Sequence, residues 1–244
     1  MSESIKPRSD LGVRTLSGVV MLTIAAAAVW YGGYAFIAMV ILAGIGVFYE
    51  FVKLVLGFVA SGFGRVSWIM GGSVYVGVAC FTLLMMSTSF FGSQPAIILI
   101  SGVIGTDVGA YFAGRTFGGP KIAPKISPSK TWSGLFGGMI GAGIMMNAAN
   151  TLGFWWKLRG ANEAMQSKLA EGYDWKSLLL VGGLLAIVAQ AGDFFESWMK
   201  RRAGVKDSGR LIPGHGGIFD RADGLIAVAF CAGLFSLFEG IVVG

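Results

Sequence analysis

The run SLLLVGGLLAIVAQAGDFFESWMKRR, Ser177 to Arg202, decides the fold class. It carries no charge before Asp193. A helix needs about 20 residues, at about 1.5 Å each, to cross a hydrocarbon core of about 30 Å, and this run supplies them. Similar apolar segments begin near Leu16, Tyr34, Val66, Gln94, Thr131 and Ala222. Composition agrees: of 244 residues, 55% are hydrophobic and 13% charged, whereas soluble domains carry roughly 25% charged residues. One water-soluble core of this size cannot hide so much apolar surface. The expectation is an all-α, polytopic integral membrane protein with about seven transmembrane helices. Lys53 to Gly64 leaves room for a short re-entrant piece. The segment from Leu16 follows a basic start, Lys6, Arg8 and Arg14, but no cleavage site precedes the next span, so it reads as the first span.

Charge sets the expected sidedness. Lys and Arg gather at the amino terminus and in alternate loops: Lys53 and Arg65, then Arg115, Lys121, Lys125 and Lys130, then Lys200, Arg201, Arg202, Lys206, Arg210 and Arg221. The first and third loops have none, and the fifth mixes both signs. By the positive-inside rule the amino terminus and the even loops face the cytoplasm. Topology therefore accounts for the net charge of +6, and a nucleic-acid partner is not expected. Cys80 and Cys231 lie in apolar runs, which argues against a disulfide scaffold. Gly134 and Gly138, and Gly137 and Gly141, have the four-residue spacing that lets helix backbones approach closely.

The informative side chains are the carboxylates inside or at the ends of spans: Asp107, Asp193, Glu196, Asp220 and Asp223. Each costs about 2.5 to 3.5 kcal/mol at a helix centre, so each needs a partner, a wet cavity or a cation. At about 100° per residue, Asp193, Glu196, Ser197 and Lys200 share one helical stripe. Glu196 and Lys200 read as an i,i+4 ion pair, which leaves Asp193 unmatched. Asp107, Tyr111 and Arg115 form a similar stripe. Asp220 and Asp223 fall in the first turn of the last helix, where Asp220 also suits helix capping. Before them, Gly214, Gly216 and Gly217 let backbone N–H groups approach an anion. A second anion-binding candidate is Ser127 to Thr131, with Ser127 as helix cap, Pro128 as first helical residue and Lys130 at the mouth. His215 is the sole histidine and cannot by itself make a zinc site of three or four ligands. The remaining hard oxygen donors favour magnesium.

From Ser197 to Asp223 the chain reads SWMKRRAGVKDSGRLIPGHGGIFDRAD, which closely resembles the signature of the phosphatidate cytidylyltransferases, or CDP-diacylglycerol synthases. TDVGAYFAGRTFGG (Thr106 to Gly119), SPSKTWSG (Ser127 to Gly134) and GDFFES (Gly192 to Ser197) resemble other polar stretches of that family. The resemblance implies transfer of the cytidylyl group of CTP to phosphatidic acid, a divalent cation (magnesium or manganese, with a monovalent ion such as K+ as a further candidate) and a homodimer, while the uncleaved first span and the short polar loops suit a bacterial cytoplasmic membrane. Residues 1–100 would be scaffold with dimer or lipid contacts, and 101–244 the catalytic region with its signature at 197–223.

On that footing Asp193, Asp220 and Asp223 are expected to hold the metal, supported by Asp107 or Glu196. Lys200, Arg201 and Lys206 would neutralise phosphates, with Lys130 a further contact. Ser197 and His215 would orient phosphate oxygens, Asp207 would position a basic side chain or the nucleotide, and Gly216, Gly217 and Arg221 would line the substrate site. Two other classes use intramembrane acids: a transporter of an anionic substrate, and a CDP-alcohol phosphotransferase. No inverted repeat is evident, and the Asp-Gly-x-x-Ala-Arg run expected of the latter does not occur after Asp223.

Overall fold

The computed structural model describes residues 9–88, 93–158, 174–212, 214 and 216–243. Within them the chain forms α1 (Ser9–Tyr31), α2 (Gly33–Phe58), α3 (Gly62–Ser87) and α4 (Gln94–Phe117). A hairpin of β1 (Lys121–Ala123) and β2 (Ser127–Thr131) follows, then α5 (Trp132–Leu158), α6 (Trp175–Arg202) and α7 (Phe219–Val243). Helices α2, α3, α4 and α6, and the Phe219–Phe238 part of α7, are long and apolar enough to cross a membrane. Their outward faces are those of a lipid-immersed bundle, with Leu180 72% and Leu42 68% exposed. In water, such contiguous apolar surface would be a liability.

Between α2 and α3 lies only the turn at 59–61, so the segment after Lys53 holds no re-entrant piece. Ser61 caps α3 by accepting from the Gly64 N–H at 3.1 Å. Arg65 donates through Nε to the Val59 carbonyl at 2.7 Å, which closes the turn.

The expectation of an all-helical chain needs correcting at one place. Ser127 to Thr131 is a strand, paired antiparallel with Lys121 to Ala123 in the register Lys121 with Thr131 and Ala123 with Ser127. Ser127 therefore does not cap a helix, and Pro128 does not open one. The cap is Thr131, whose hydroxyl accepts from the Gly134 N–H at 3.1 Å. Gly118 and Gly119 end α4 with φ of 59° and 98°, a left-handed pair that turns the chain out of the helix and into the hairpin.

Glycines set the closest helix contacts. A Cβ at Gly109 would run into the Gly137 carbonyl, and one at Gly141 into that of Gly105, so α4 and α5 touch backbone to backbone. Gly182 packs equally close to Gly143, which joins α6 to α5. Without a hydrophobic driving force inside lipid, such van der Waals contact is what holds helices together.

The junctions sort into two ends. Gly32, between α1 and α2, lies beside Ser93 at the start of α4, and Asn147 of α5 donates to the Trp175 carbonyl at 3.2 Å. At the opposite end Gly57 packs on Ala203, just beyond α6, and Phe58 meets Trp68 and Trp198 edge to face. The hairpin belongs to this second end, where Arg201 Nε reaches the Ile126 carbonyl at 3.5 Å. Here the basic loops gather.

Candidate active site

Two lysines organise the acids, one group each. Lys130, delivered by β2, pairs with Asp193 of α6 at 2.5 Å. Ser197, one turn further along α6, donates to the other oxygen of Asp193 at 3.3 Å. Asp107 of α4 and Asp223 of α7 lie within electrostatic reach of the same ammonium. Burial alone would push the Lys130 ammonium down, but Asp193, joined by Asp107 and Asp223, outweighs it and holds the group above the ordinary lysine value. Asp223 also accepts from the Gly224 N–H at 2.7 Å.

The second group surrounds Lys200. Its ammonium bridges Glu196, at 2.5 Å, and Asp220, at 2.6 Å. The i,i+4 pair expected on α6 is therefore present, extended to α7. The other oxygen of Asp220 accepts from the Gly217 N–H at 2.8 Å, the Ser208 N–H at 2.9 Å and the Ser208 hydroxyl at 3.0 Å. The loop amide expected to meet a substrate anion thus already meets one, the protein's own Asp220. Gly216, with φ 83°, brings the chain so close to Asp220 that a Cβ there would sit 3.0 Å from its oxygen.

Two members of this group, Glu50 and Ser208, were not among the expected site residues. Glu50 of α2 is 0% exposed. One of its oxygens, Oε2, accepts from the Ser208 hydroxyl at 2.9 Å and from the Phe219 N–H at 2.8 Å. Phe219 opens α7, so a carboxylate far away in sequence satisfies one of that helix's free amides. The Ser208 hydroxyl has one proton for two carboxylates, Glu50 and Asp220, and serves one at a time. Gly209 and Gly217 press so tightly on Glu50 that a Cβ at either would overlap its carboxyl group. The signal was in the sequence: Glu50 is an acid inside the apolar run from Tyr34, and the desolvation argument applied to Asp107 applies to it equally.

The remaining expected residues lie at the rim. Arg201, Lys206, Asp207 and Arg221 are exposed near the mouth, while Ser197 is buried beneath them. Arg115 reaches back to the Tyr111 hydroxyl at 2.7 Å, so their stripe with Asp107 closes on itself at its outer end. His215 and Pro213 lie outside the described residues.

For a divalent cation, the donor chemistry fits better in one group than in the other. Around Lys130, three carboxylates face one ammonium, and a doubly charged ion with hard oxygen ligands would balance the surplus. Around Lys200, Asp220 already has four donors. Among the described residues no three acids converge closely enough to share one ion without adjustment. The five expected acids are thus divided between α6 stripes, Asp193 with Ser197 and Glu196 with Lys200, and do not form a single ring.

The sequence model of the cytidylyltransferase family matches residues 54–238. Similar proteins include the phosphatidate cytidylyltransferase of Brucella melitensis biotype 1, 34% identical over 93% of each chain. That of Rickettsia bellii is 31% identical over 92% of this chain and 90% of its own, and that of Rickettsia typhi 29% identical over 92% and 91%. The matched region takes in the β hairpin, both lysine-centred groups and every described acid except Glu50 among those that build them, so this chain belongs to the cytidylyltransferase family.

Proposed function

We propose that the chain transfers the cytidylyl group of CTP to phosphatidate, giving CDP-diacylglycerol and pyrophosphate for phospholipid synthesis. The observation that carries this reading is the pair of lysine-centred acid groups, side by side on α6 among helices able to cross a membrane, in a chain similar to phosphatidate cytidylyltransferases. A phosphate oxygen of the lipid attacks the α-phosphorus of CTP. The new P–O bond forms as the bond to the β-phosphate bridge breaks, and pyrophosphate leaves with the electron pair. The nucleophile is already anionic, so the main barrier is the approach of like charges, and positioning with electrostatic stabilisation supplies the catalysis.

The exposed Arg201, Lys206 and Arg221 suit the incoming triphosphate, with Asp207 orienting one of them and Gly216 at the nucleotide's edge; the role proposed for His215 is to orient a phosphate oxygen. Lys130 and Ser197 face the lipid phosphate. Lys200 holds Asp220 and Glu196 in place behind that mouth. Asp193 and Asp223, with Asp107, would hold magnesium, which would neutralise phosphate charge. Seven helices would span a bacterial inner membrane with the amino terminus and the basic end in the cytoplasm, the amino-terminal helices giving lipid contacts, in a homodimer.

The test is incubation of the purified protein with CTP, phosphatidate and magnesium. CDP-diacylglycerol and pyrophosphate are expected together. Release of CMP would identify phosphotransfer from a CDP-alcohol, and substrate flux without nucleotide turnover would identify a transporter.

A further inference from the structure

A cavity of about 570 Å³ lies between α2, α3, α6 and α7, apart from both lysine groups. Its wall is aromatic. Trp68 and Phe195 stack at 6.5 Å and 16°, Tyr75 meets Phe195 edge-on at 5.9 Å, and Phe230 meets Tyr75 at 5.1 Å. No charged side chain lines it. The Ser67 hydroxyl at one end is spent on the Phe63 carbonyl at 3.0 Å. A cavity with so few polar groups does not hold ordered water well, and its walls are helices long and apolar enough to cross a membrane. Its lining suits hydrocarbon.

Position says which hydrocarbon. Gly192 forms part of the wall and immediately precedes Asp193. Its other side packs on the Asp223 backbone, since a Cβ there would sit 2.7 Å from the Asp223 carbonyl oxygen. Tyr75 lies within electrostatic reach of Asp223. The cavity thus lies against the backbone that carries Asp193 and Asp223, two of the acids around Lys130. From Ser67 to Tyr75 it follows α3 inward from the basic end for about 12 Å, the direction in which a chain hangs from a headgroup held at that end.

We infer that this cavity is the subsite for one acyl chain of the lipid substrate, and that Gly71 sets how much chain it admits. The inference rests on the proposed reaction. Gly71 is on the cavity wall, and a Cβ added there would meet nothing within 4 Å. A larger residue would enter the space the chain uses. The adjacent Gly72 is different, because a Cβ there would strike the Phe51 ring.

The test compares dioleoyl and dioctanoyl phosphatidate with the full chain and its Gly71→Leu and Gly71→Phe variants in detergent. The ratio of kcat/KM for the long lipid to that for the short one is expected to fall about tenfold in Gly71→Phe and less in Gly71→Leu, through KM. Equal losses for both lipids, or no change in the ratio, would overturn the inference. A dioleoyl-length phosphatidate with a mid-chain diazirine gives a reading independent of turnover and of variant folding: in the wild type it should label peptides that line the cavity, those around Trp68 and Phe195 or the facing parts of α2 and α7. Labelling confined to α1, α4 and α5 would overturn it. An altered oligomeric mass of Gly71→Phe with an unchanged ratio would also overturn it, by assigning the face to contact between copies. Failure of the proposed reaction looks different, since the wild type would then make no CDP-diacylglycerol from either lipid.

Discussion

A carboxylate buried two turns before the end of a membrane helix has to be compensated, and among the described residues Glu50 is compensated at one oxygen only: Oε2 takes both donors, and Oε1 has no partner there. Removing an acceptor from buried donors costs about 1 to 3 kcal/mol per orphaned group. Glu50→Ala strands the Phe219 N–H and leaves the Ser208 hydroxyl to Asp220 alone. We expect a lower melting temperature and loss of most product formation, with Glu50→Gln recovering part of both, because its amide oxygen can still accept one bond. Equal behaviour of the two variants would remove the hydrogen bonds as the cause. The charge of Lys130 makes a second case. Its pKa is held above the ordinary lysine value, so the folded state binds that proton more tightly than the unfolded chain. The stabilisation is complete below the unfolded value, about 10.4, and is lost as pH rises through the folded one. Lys130→Met should therefore lower the melting temperature by an amount that shrinks as pH rises above about 10. Turnover should fall about a hundredfold, since the acids it gathers would be misplaced. A deficit that did not shrink above about pH 10 would remove the ammonium charge as its cause. The importance of Lys130 was legible from its place beside a polar motif; Glu50 stood alone in apolar sequence, and its partners Ser208 and Phe219 are brought to it only by the fold.

Helix α4 brings Asp107 and the hairpin brings Lys130, so their mutual placement depends on how tightly α4 and α5 pack. Gly109→Ala and Gly141→Ala each put a methyl group into a facing backbone carbonyl. Backbone cannot swing aside as a side chain can, and overpacking of this kind costs about 1 to 3 kcal/mol. Gly77→Ala is the internal comparison: it lies in α3 with nothing within 4 Å of the added carbon, and there alanine should match or improve the helix by about 0.5 to 1 kcal/mol. Thermal denaturation in detergent should separate the first two from the third, and the same destabilisation at all three sites would refute close packing as the cause. The glycine spacing on α5 was readable because a four-residue repeat means the same thing wherever a helix runs. The hairpin was not. Ser127 followed by Pro128 satisfies the local rules for a helix start, and only pairing with Lys121 to Ala123, allowed by the left-handed Gly118 and Gly119, makes that stretch a strand.

At the scale of the whole molecule, the expected convergence of acids is present but divided. Positions on α6 predicted one polar stripe, yet each lysine claims its own neighbours: Lys130 is carried in by the hairpin and Lys200 is met by Asp220 of α7. Spacing along one helix cannot show which partners arrive from others. The alternating basic loops, by contrast, were a whole-chain signal, and the fold draws the hairpin and the ends of α2 and α6 to one end of the bundle. If that end faces the cytoplasm, side chains at the two ends differ in access to a reagent that cannot cross lipid. The free thiols are Cys80 and Cys231, and replacing both with alanine gives a silent background. In it, Lys125→Cys in the hairpin and Lys206→Cys beyond α6 should react with an impermeant maleimide only in inside-out vesicles. Tyr34→Cys, 91% exposed at the other end of α2, should react only in right-side-out ones. Reaction of all three from one side would break the proposed topology. Reaction of Lys125→Cys and Lys206→Cys from outside would place the mouth away from CTP, because the triphosphate is made and held in the cytoplasm and its charge bars it from crossing the hydrocarbon.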